Sequence, residues 1–244
     1  MRKCLSLALV VAMLLACAPG VASASEVYVA VSPGIAQCVE DIYASFVAAG
    51  GGELVFVKEA TGPLAQKIDA GAPFALLVAA DPDWPEWLRE RGKIKDVHAC
   101  AQGHLVLWCE DEKVCKDVAM ADLRIATPDP DTTSHGVMAA DLLKSEGIWE
   151  KNLESGRIII VKNALQAVMT VNAGSADAAL IPSSLAIESG GFYASLPSPA
   201  IPTVGGLNVD FPDETVAAFW EYLRSPESAP LWEKWGFEPV DGER

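Results

Sequence analysis

Short β-rich runs alternate with helical stretches along almost the whole chain, and no other feature constrains the fold as tightly. Residues 27–31 are β-rich. Residues 35–49 then place Ile35, Val39, Ile42 and Phe46 on one face, the 3.6-residue period of an amphipathic helix. Gly50-Gly51-Gly52 ends it. A second β-rich run at 54–57, a short helix at 64–69 and an apolar run at 74–79 follow. A strand that is apolar on both faces belongs inside a parallel sheet covered on both sides, and a helix over 84–91 supplies cover. The order βαβαβα predicts a parallel sheet flanked by helices.

A strand at 105–109 opens a second block. Strands at 123–126, 157–161 and 178–181 alternate with helices at 136–145 and 165–172, and helices at 215–224 and 230–235 close the chain. Pro197, Pro199 and Pro202 mark an extended crossing between the blocks. The expected class is α/β with two lobes, each a mostly parallel sheet flanked by helices. Lobe 1 takes residues 25–104 and 205–244, and lobe 2 takes 105–204. Two crossing strands make a hinge. Ligands of open α/β sheets sit beyond the carboxyl ends of strands, where helices begin.

The N-terminus points to export. Arg2-Lys3 precedes an uncharged run over 5–16, and Ala22-Ser23-Ala24 has the small residues of a cleavage site. That is a secretory signal peptide over 1–24. Its apolar run is shorter than the ~20 residues a membrane span takes. Leu14-Leu15-Ala16-Cys17 also resembles a lipobox, so an anchor through Cys17 stays open. Without Arg2 and Lys3, 16 Lys+Arg face 33 Asp+Glu, a net charge of −17. Such acidity disfavours nucleic acid and anionic lipid as partners.

Cys38, Cys100, Cys109 and Cys115 remain in the exported part. Four cysteines in a secreted chain read as two disulfides. Cys109–Cys115 would close a short polar loop, leaving Cys38–Cys100. No Cys-x-x-Cys pair and no ligand-spaced histidines suggest a metal site. There is no Gly-x-Ser-x-Gly elbow and no phosphate loop, and His98, His104 and His135 have no evident nucleophile, so catalysis is not expected.

Four strand-to-helix junctions carry the chemistry: Ser32-Pro33-Gly34, Thr61-Gly62-Pro63, Ser134-His135-Gly136 and Asn163-Ala164-Leu165. Taken singly, each is an ordinary N-cap worth about 1 kcal/mol. Two in each lobe suggest more. A first helical turn has unpaired N–H groups and a partial positive charge. It binds anions without lysine or arginine, and a cap hydroxyl adds a donor. An acidic protein can then hold an anion, because remote carboxylates are screened beyond ~8 Å.

Residues 61–73 match at Leu64-Ala65, Ile68 and Ala70-Gly71-Ala72-Pro73 a segment of periplasmic molybdate-binding proteins. Ala79-Ala80-Asp81 with Trp84, Asp129-Pro130 with Gly136, Gly147-Ile148-Trp149 and residues 163–167 continue the likeness, as do residues 218–226 and Trp235-Gly236-Phe237. The chain thus resembles that family over nearly its whole exported length. The resemblance implies a type II periplasmic binding protein fold. The protein would be a periplasmic monomer that captures a tetrahedral oxyanion, molybdate or tungstate, and hands it to an ABC permease in the inner membrane. The anion is cargo, held by neutral donors with no protein–metal ligation and no cofactor.

Residue by residue, the family's hydroxyl donors fall on Ser32 and Thr61, with Gly62 beside the latter. Its backbone donors fall on His135 and Ala164. The family's tyrosine is replaced by Pro182, which has neither hydroxyl nor N–H; Ser183, Ser184 or His135 would have to substitute. This departure leaves a different anion open: phosphate, sulfate or a small organic acid. A charged His135 facing the cleft would make binding tighten as pH falls.

Overall fold

A computed structural model describes residues 26–240. The signal peptide expected over 1–24 and the anchoring cysteine Cys17 lie outside the described residues. The first sheet is built from β1 (Tyr28–Val31), α1 (Pro33–Ala48), β2 (Val55–Lys58), α2 (Thr61–Asp69), β3 (Phe74–Ala79), α3 (Asp83–Glu90) and β4 (Ile94–Gly103). The chain then crosses through His104 into β5 (Leu105–Cys109), α4 (Glu112–Asp117), β6 (Ile125–Pro128), α5 (Ser134–Ser145), α6 (Trp149–Glu154) and β7 (Ile158–Val161). The second sheet continues with α7 (Ala164–Asn172), β8 (Ala178–Pro182), α8 (Ser183–Ser189) and β9 (Phe192–Ser195). The chain returns as β10 (Ile201–Asn208) and closes with α9 (Glu214–Leu223), α10 (Ala229–Lys234) and β11 (Glu238–Pro239).

The first sheet runs β11-β4-β10-β3-β1-β2 and the second β7-β6-β8-β5-β9. β1 is parallel to β2 and β3, while β10 is antiparallel to β3 and β4. In the second sheet β6 is parallel to β7 and β8, and β5 is antiparallel to β8 and β9. Both sheets therefore combine a parallel trio with antiparallel strands from the crossings. β10 enters the first sheet at Ile201, ahead of the boundary expected at 205.

Alternation of side chains explains the apolar runs. Val29, Val31, Leu76 and Val78 point into a core under α1 and α9, with Phe46, Phe219 and Trp220. Ala30, Leu77 and Ala79 point the other way, toward Leu64, Ile68 and Leu88 of α2 and α3. The second sheet repeats the plan: Leu105, Leu107, Ile125 and Leu180 face one core, Val106, Trp108, Ala126 and Ile181 the other. Each fully buried large aliphatic contributes about 1.5–3 kcal/mol, so the four half-cores favour this two-faced layering. Gly205 in β10 is needed for contact: a Cβ there would fall 2.8 Å from Leu77 O and from the Trp220 ring.

Cys109 and Cys115 stand 5.7 Å apart at Cα, in the geometry of a disulfide, and α4 occupies the loop between them. The expected Cys38–Cys100 bond is not formed: both are buried free thiols. Cys38 Sγ points to Leu231 O at 3.9 Å and Cys100 Sγ donates to Thr203 O at 3.4 Å. Burial pushes both thiols up, Cys100 to about 12.

Candidate anion-binding site

At the end of β1, the Ser32 N–H donates to Val78 O at 3.1 Å, tying the turn to β3. Ser32 is the N-cap of α1, followed by Pro33, yet its hydroxyl does not cap the helix. Instead Ser32 Oγ meets Thr61 Oγ1 at 2.7 Å and accepts from Ala80 N at 3.3 Å. Ser32 is only 3% exposed, whereas Thr61 is half-buried.

Thr61 is the first residue of α2, preceded by Ala60. The expected start at Leu64 is thus too late: Pro63 sits in the first turn, where its missing N–H costs no helical bond. Gly62 gives Trp84 room, since a Cβ would lie 2.9 Å from its ring. Trp84 and Trp87 stack edge to face at 5.4 Å. Beside them Asp81, 8% exposed, accepts from Trp84 N at 3.4 Å through Oδ1. Burial holds the Asp81 pKa above its ordinary value, helped by the Asp83 charge and opposed by the backbone N–H groups of Trp84 and Asp83. Asp81 was legible in the sequence only as part of a motif; its place at the carboxyl end of a central strand was the signal of a role.

In the second sheet Thr133, not Ser134, caps α5: its Oγ1 accepts from Gly136 N at 3.0 Å and donates to Asp129 O at 2.9 Å. Gly136 packs onto that carbonyl so closely that a Cβ would lie 2.4 Å from Asp129 O. The N–H groups of Ser134 and His135 belong to the first turn and have no partner one turn back. The His135 imidazole makes no hydrogen bond among the described residues. The residue keeps some exposure, but the ring is crowded by protein, and desolvation pushes its pKa down to about 4. It is therefore neutral near pH 7, unlike the imidazolium entertained above. Asn163 caps α7 by accepting from Gln166 N at 2.9 Å, which leaves the Ala164 N–H in an open first turn.

A narrow pocket joins the two sheets. Gly34, Ile35 and Ala80 line it from the first, His135, Pro182, Ser183 and Ser184 from the second. Its free space of about 10 Å³ holds roughly one water. Ser32, Thr61, Gly62 and Ala164 do not line it, although Ser32 Oγ accepts from Ala80 N at its edge. Ser183 does, but both its donors are used: N–H to His104 O and Oγ to Gly236 O, each at 2.9 Å. Ser184 Oγ donates to Gly34 O at 2.7 Å, bonding α8 directly to the start of α1. No lysine or arginine lines the pocket.

The family model for bacterial extracellular solute-binding proteins matches residues 27–238. The chain belongs to that family. Among relatives of this solute-binding protein, the molybdate-binding protein ModA of Escherichia coli (strain K12) is 24% identical over 237 residues, covering 88% of this chain and 90% of that protein. ModA of Rhodobacter capsulatus is 26% identical over 227 residues, covering 88% and 89%. The solved periplasmic molybdate-binding protein of Azotobacter vinelandii superposes with a TM-score of 0.76 at 21% identity, covering 88% of this chain and all of that one, 100%. The two-lobe α/β arrangement of the solute-binding protein is that of type II periplasmic binding proteins.

Proposed function

We propose that this solute-binding protein captures a tetrahedral oxyanion, molybdate or tungstate, in the periplasm and delivers it to an ABC permease. The observation that carries the reading is the Ser32–Thr61 hydroxyl pair, 2.7 Å apart at the starts of α1 and α2; the His135 N–H at the start of α5 would donate from the other lobe. Ala164 N–H at the start of α7 completes the donor set, and Gly62 lets the backbone of α2 approach the ion. The ModA relatives support the same ligand class. Pro182 stands in the pocket wall where the resemblance places a tyrosine, with Ser183 beside it.

Residues 25–104 with 205–244 act as one lobe and 105–204 as the other. They hinge where β4 passes into β5 and where β9 returns to β10. The narrow pocket is the closed form, and the ion enters when the Ser184–Gly34 bond opens. Contacts in both lobes then favour closure, since only differential contact shifts such an equilibrium. Hydrogen bonds to a charged group net about 1.5–3 kcal/mol each. Roughly five give micromolar to nanomolar affinity after ordering costs. The protein works as an exported monomer without cofactor, and turnover assays should find no activity.

Calorimetry with molybdate, tungstate, sulfate and phosphate tests this. Molybdate and tungstate should bind at micromolar or better, and Ser32→Ala or Thr61→Ala should each weaken them at least about tenfold, or about 1.4 kcal/mol. Unchanged affinity in both variants rejects the site. A second reading, a different anion such as phosphate, sulfate or a small organic acid, is favoured by Pro182 and by the spent donors of Ser183. Preferential binding of one of those ligands would establish it.

A further inference from the structure

The crossing strands supply one wall of the pocket between the two sheets: Gly103 at the end of β4, Ile201 and Thr203 of β10, and Phe237 just ahead of β11. Side chains alternate along a strand, so Ile201 and Thr203 share a face of β10, and both reach the pocket. β10 runs antiparallel to β3 with Val204 opposite Ala79. The next step in that register brings Thr203 to Ala80, which lines the same pocket. Ala80 is also the residue whose N–H donates to Ser32 Oγ at 3.3 Å. The strand pairing therefore delivers Thr203 to the edge of the Ser32–Thr61 hydroxyl pair, although it lies at no strand-to-helix junction.

Thr203 is 1% exposed. Its carbonyl accepts from Cys100 Sγ at 3.4 Å, but its hydroxyl makes no hydrogen bond among the described residues. Buried polar groups are rarely left so. Among the described residues the wholly enclosed side-chain atoms without a partner are His104 Nε2 and Ser198 Oγ. Thr203 Oγ1 is not one of these, so the little surface it keeps opens on the pocket. The other hydroxyls of the lining are spent, Ser183 on Gly236 O and Ser184 on Gly34 O. Pro182 in the facing wall has no hydroxyl to give. A free space of about 10 Å³ takes a single water-sized group, and one oxygen of a tetrahedral oxyanion is of that size.

We propose that Thr203 is a further ligand-binding residue, whose hydroxyl donates to the one oxygen of the captured oxyanion that enters the pocket beside Ala80. This rests on the reading of the Ser32–Thr61 pair as the seat of the ion. It supplies from β10 the hydroxyl that Pro182 lacks. Because β10 is the returning crossing strand, the ion then touches the hinge as well as both lips of the cleft.

The test is calorimetry with molybdate, tungstate, sulfate and phosphate on the exported wild type, Thr203→Val, Thr203→Ser and Ser32→Ala, with thermal melts of the same proteins free of ligand. Valine keeps the β-branched shape and loses the hydroxyl. Thr203→Val should weaken the best-bound oxyanion about tenfold, while Thr203→Ser, which keeps the donor, stays within about threefold of wild type. The ligand-free melting point of Thr203→Val should equal or exceed that of wild type, because an apolar group replaces an unmet buried donor. A hydroxyl that served only the fold would move the readouts the other way, lowering the melting point and sparing affinity. Unchanged affinity in Thr203→Val overturns the proposal, as does a loss that Thr203→Ser shares or that comes with a lower melting point. A loss in Ser32→Ala without one in Thr203→Val removes Thr203 alone. If the wild type binds none of the four ions, the functional reading fails and this proposal with it.

Discussion

The two halves of the candidate site solve the same problem with opposite materials. In the second lobe Thr133 and Asn163 spend their side chains capping α5 and α7, so at these two helix starts the free donors are backbone N–H groups. In the first lobe Ser32 does not cap α1 and Ala60 cannot cap α2, so the hydroxyls of Ser32 and Thr61 stay available to each other and to a ligand. One half is therefore written in side chains, with the buried Asp81 carboxyl close by. The other is written in main-chain geometry and flanked by a neutral ring.

That contrast orders the expected effects. The largest belongs to Gly136→Ala: the added Cβ meets a carbonyl at 2.4 Å, and backbone cannot swing aside as a side chain can. Overpacking of this kind costs about 1–3 kcal/mol or more. Calorimetry and thermal melts should show loss of molybdate binding well beyond tenfold and a melting point lower by several degrees. Unaltered binding would mean the second half does not depend on this packing. Next come Ser32→Ala and Thr61→Ala, already expected to weaken binding at least tenfold. His135→Ala is expected to change affinity less than about threefold, because it keeps the N–H. A loss as large as that of Ser32→Ala would show that the imidazole itself holds the ion, and the contrast would break.

The smallest effect is on stability. The His135 pKa is lowered from 6.5 to about 4 in the folded protein, so between those values the unfolded chain binds a proton that the folded one refuses. Stability from this group is present above pH 6.5, declines as pH falls to about 4 and is level below. The loss is bounded at roughly 3 kcal/mol for a ring wholly out of water, and is smaller for a residue that keeps some exposure. His135→Ala should melt at a temperature less sensitive to pH across that window. Equal sensitivity in both proteins would place the ring in contact with solvent.

Much of the architecture was legible in the chain because it follows from local pattern. The run at 74–79 is β3 residue for residue, and the helical periods at 35–49, 136–145 and 165–172 mark α1, α5 and α7 to within a few residues. β4 was hidden because Lys95, Asp96 and His98 interrupt its pattern and Asp96 adopts a positive φ of 53°. α8 was hidden because Pro182-Ser183-Ser184 has the composition of a loop. The candidate hydroxyls at 32 and 61 could be named from strand-to-helix junctions and Ser184 from the departure at Pro182, but the burial of Asp81, the Ser184–Gly34 bond and the capping role of Thr133 could not.

By itself, then, the sequence determined the layering: which segments are strands and helices, and which junctions carry hydroxyls and unpaired amides. Periodicity and capping act within a few residues, so they can be read along the chain. Tertiary structure alone decided what those groups face. Ser32 and Thr61 lie 29 positions apart yet share a proton, Ser183 is spent on Gly236, and Cys38 and Cys100 stay separate thiols. Such partnerships depend on how distant strands stack and cross, and hydrogen-bond chemistry turns on a few tenths of an ångström that no local pattern encodes.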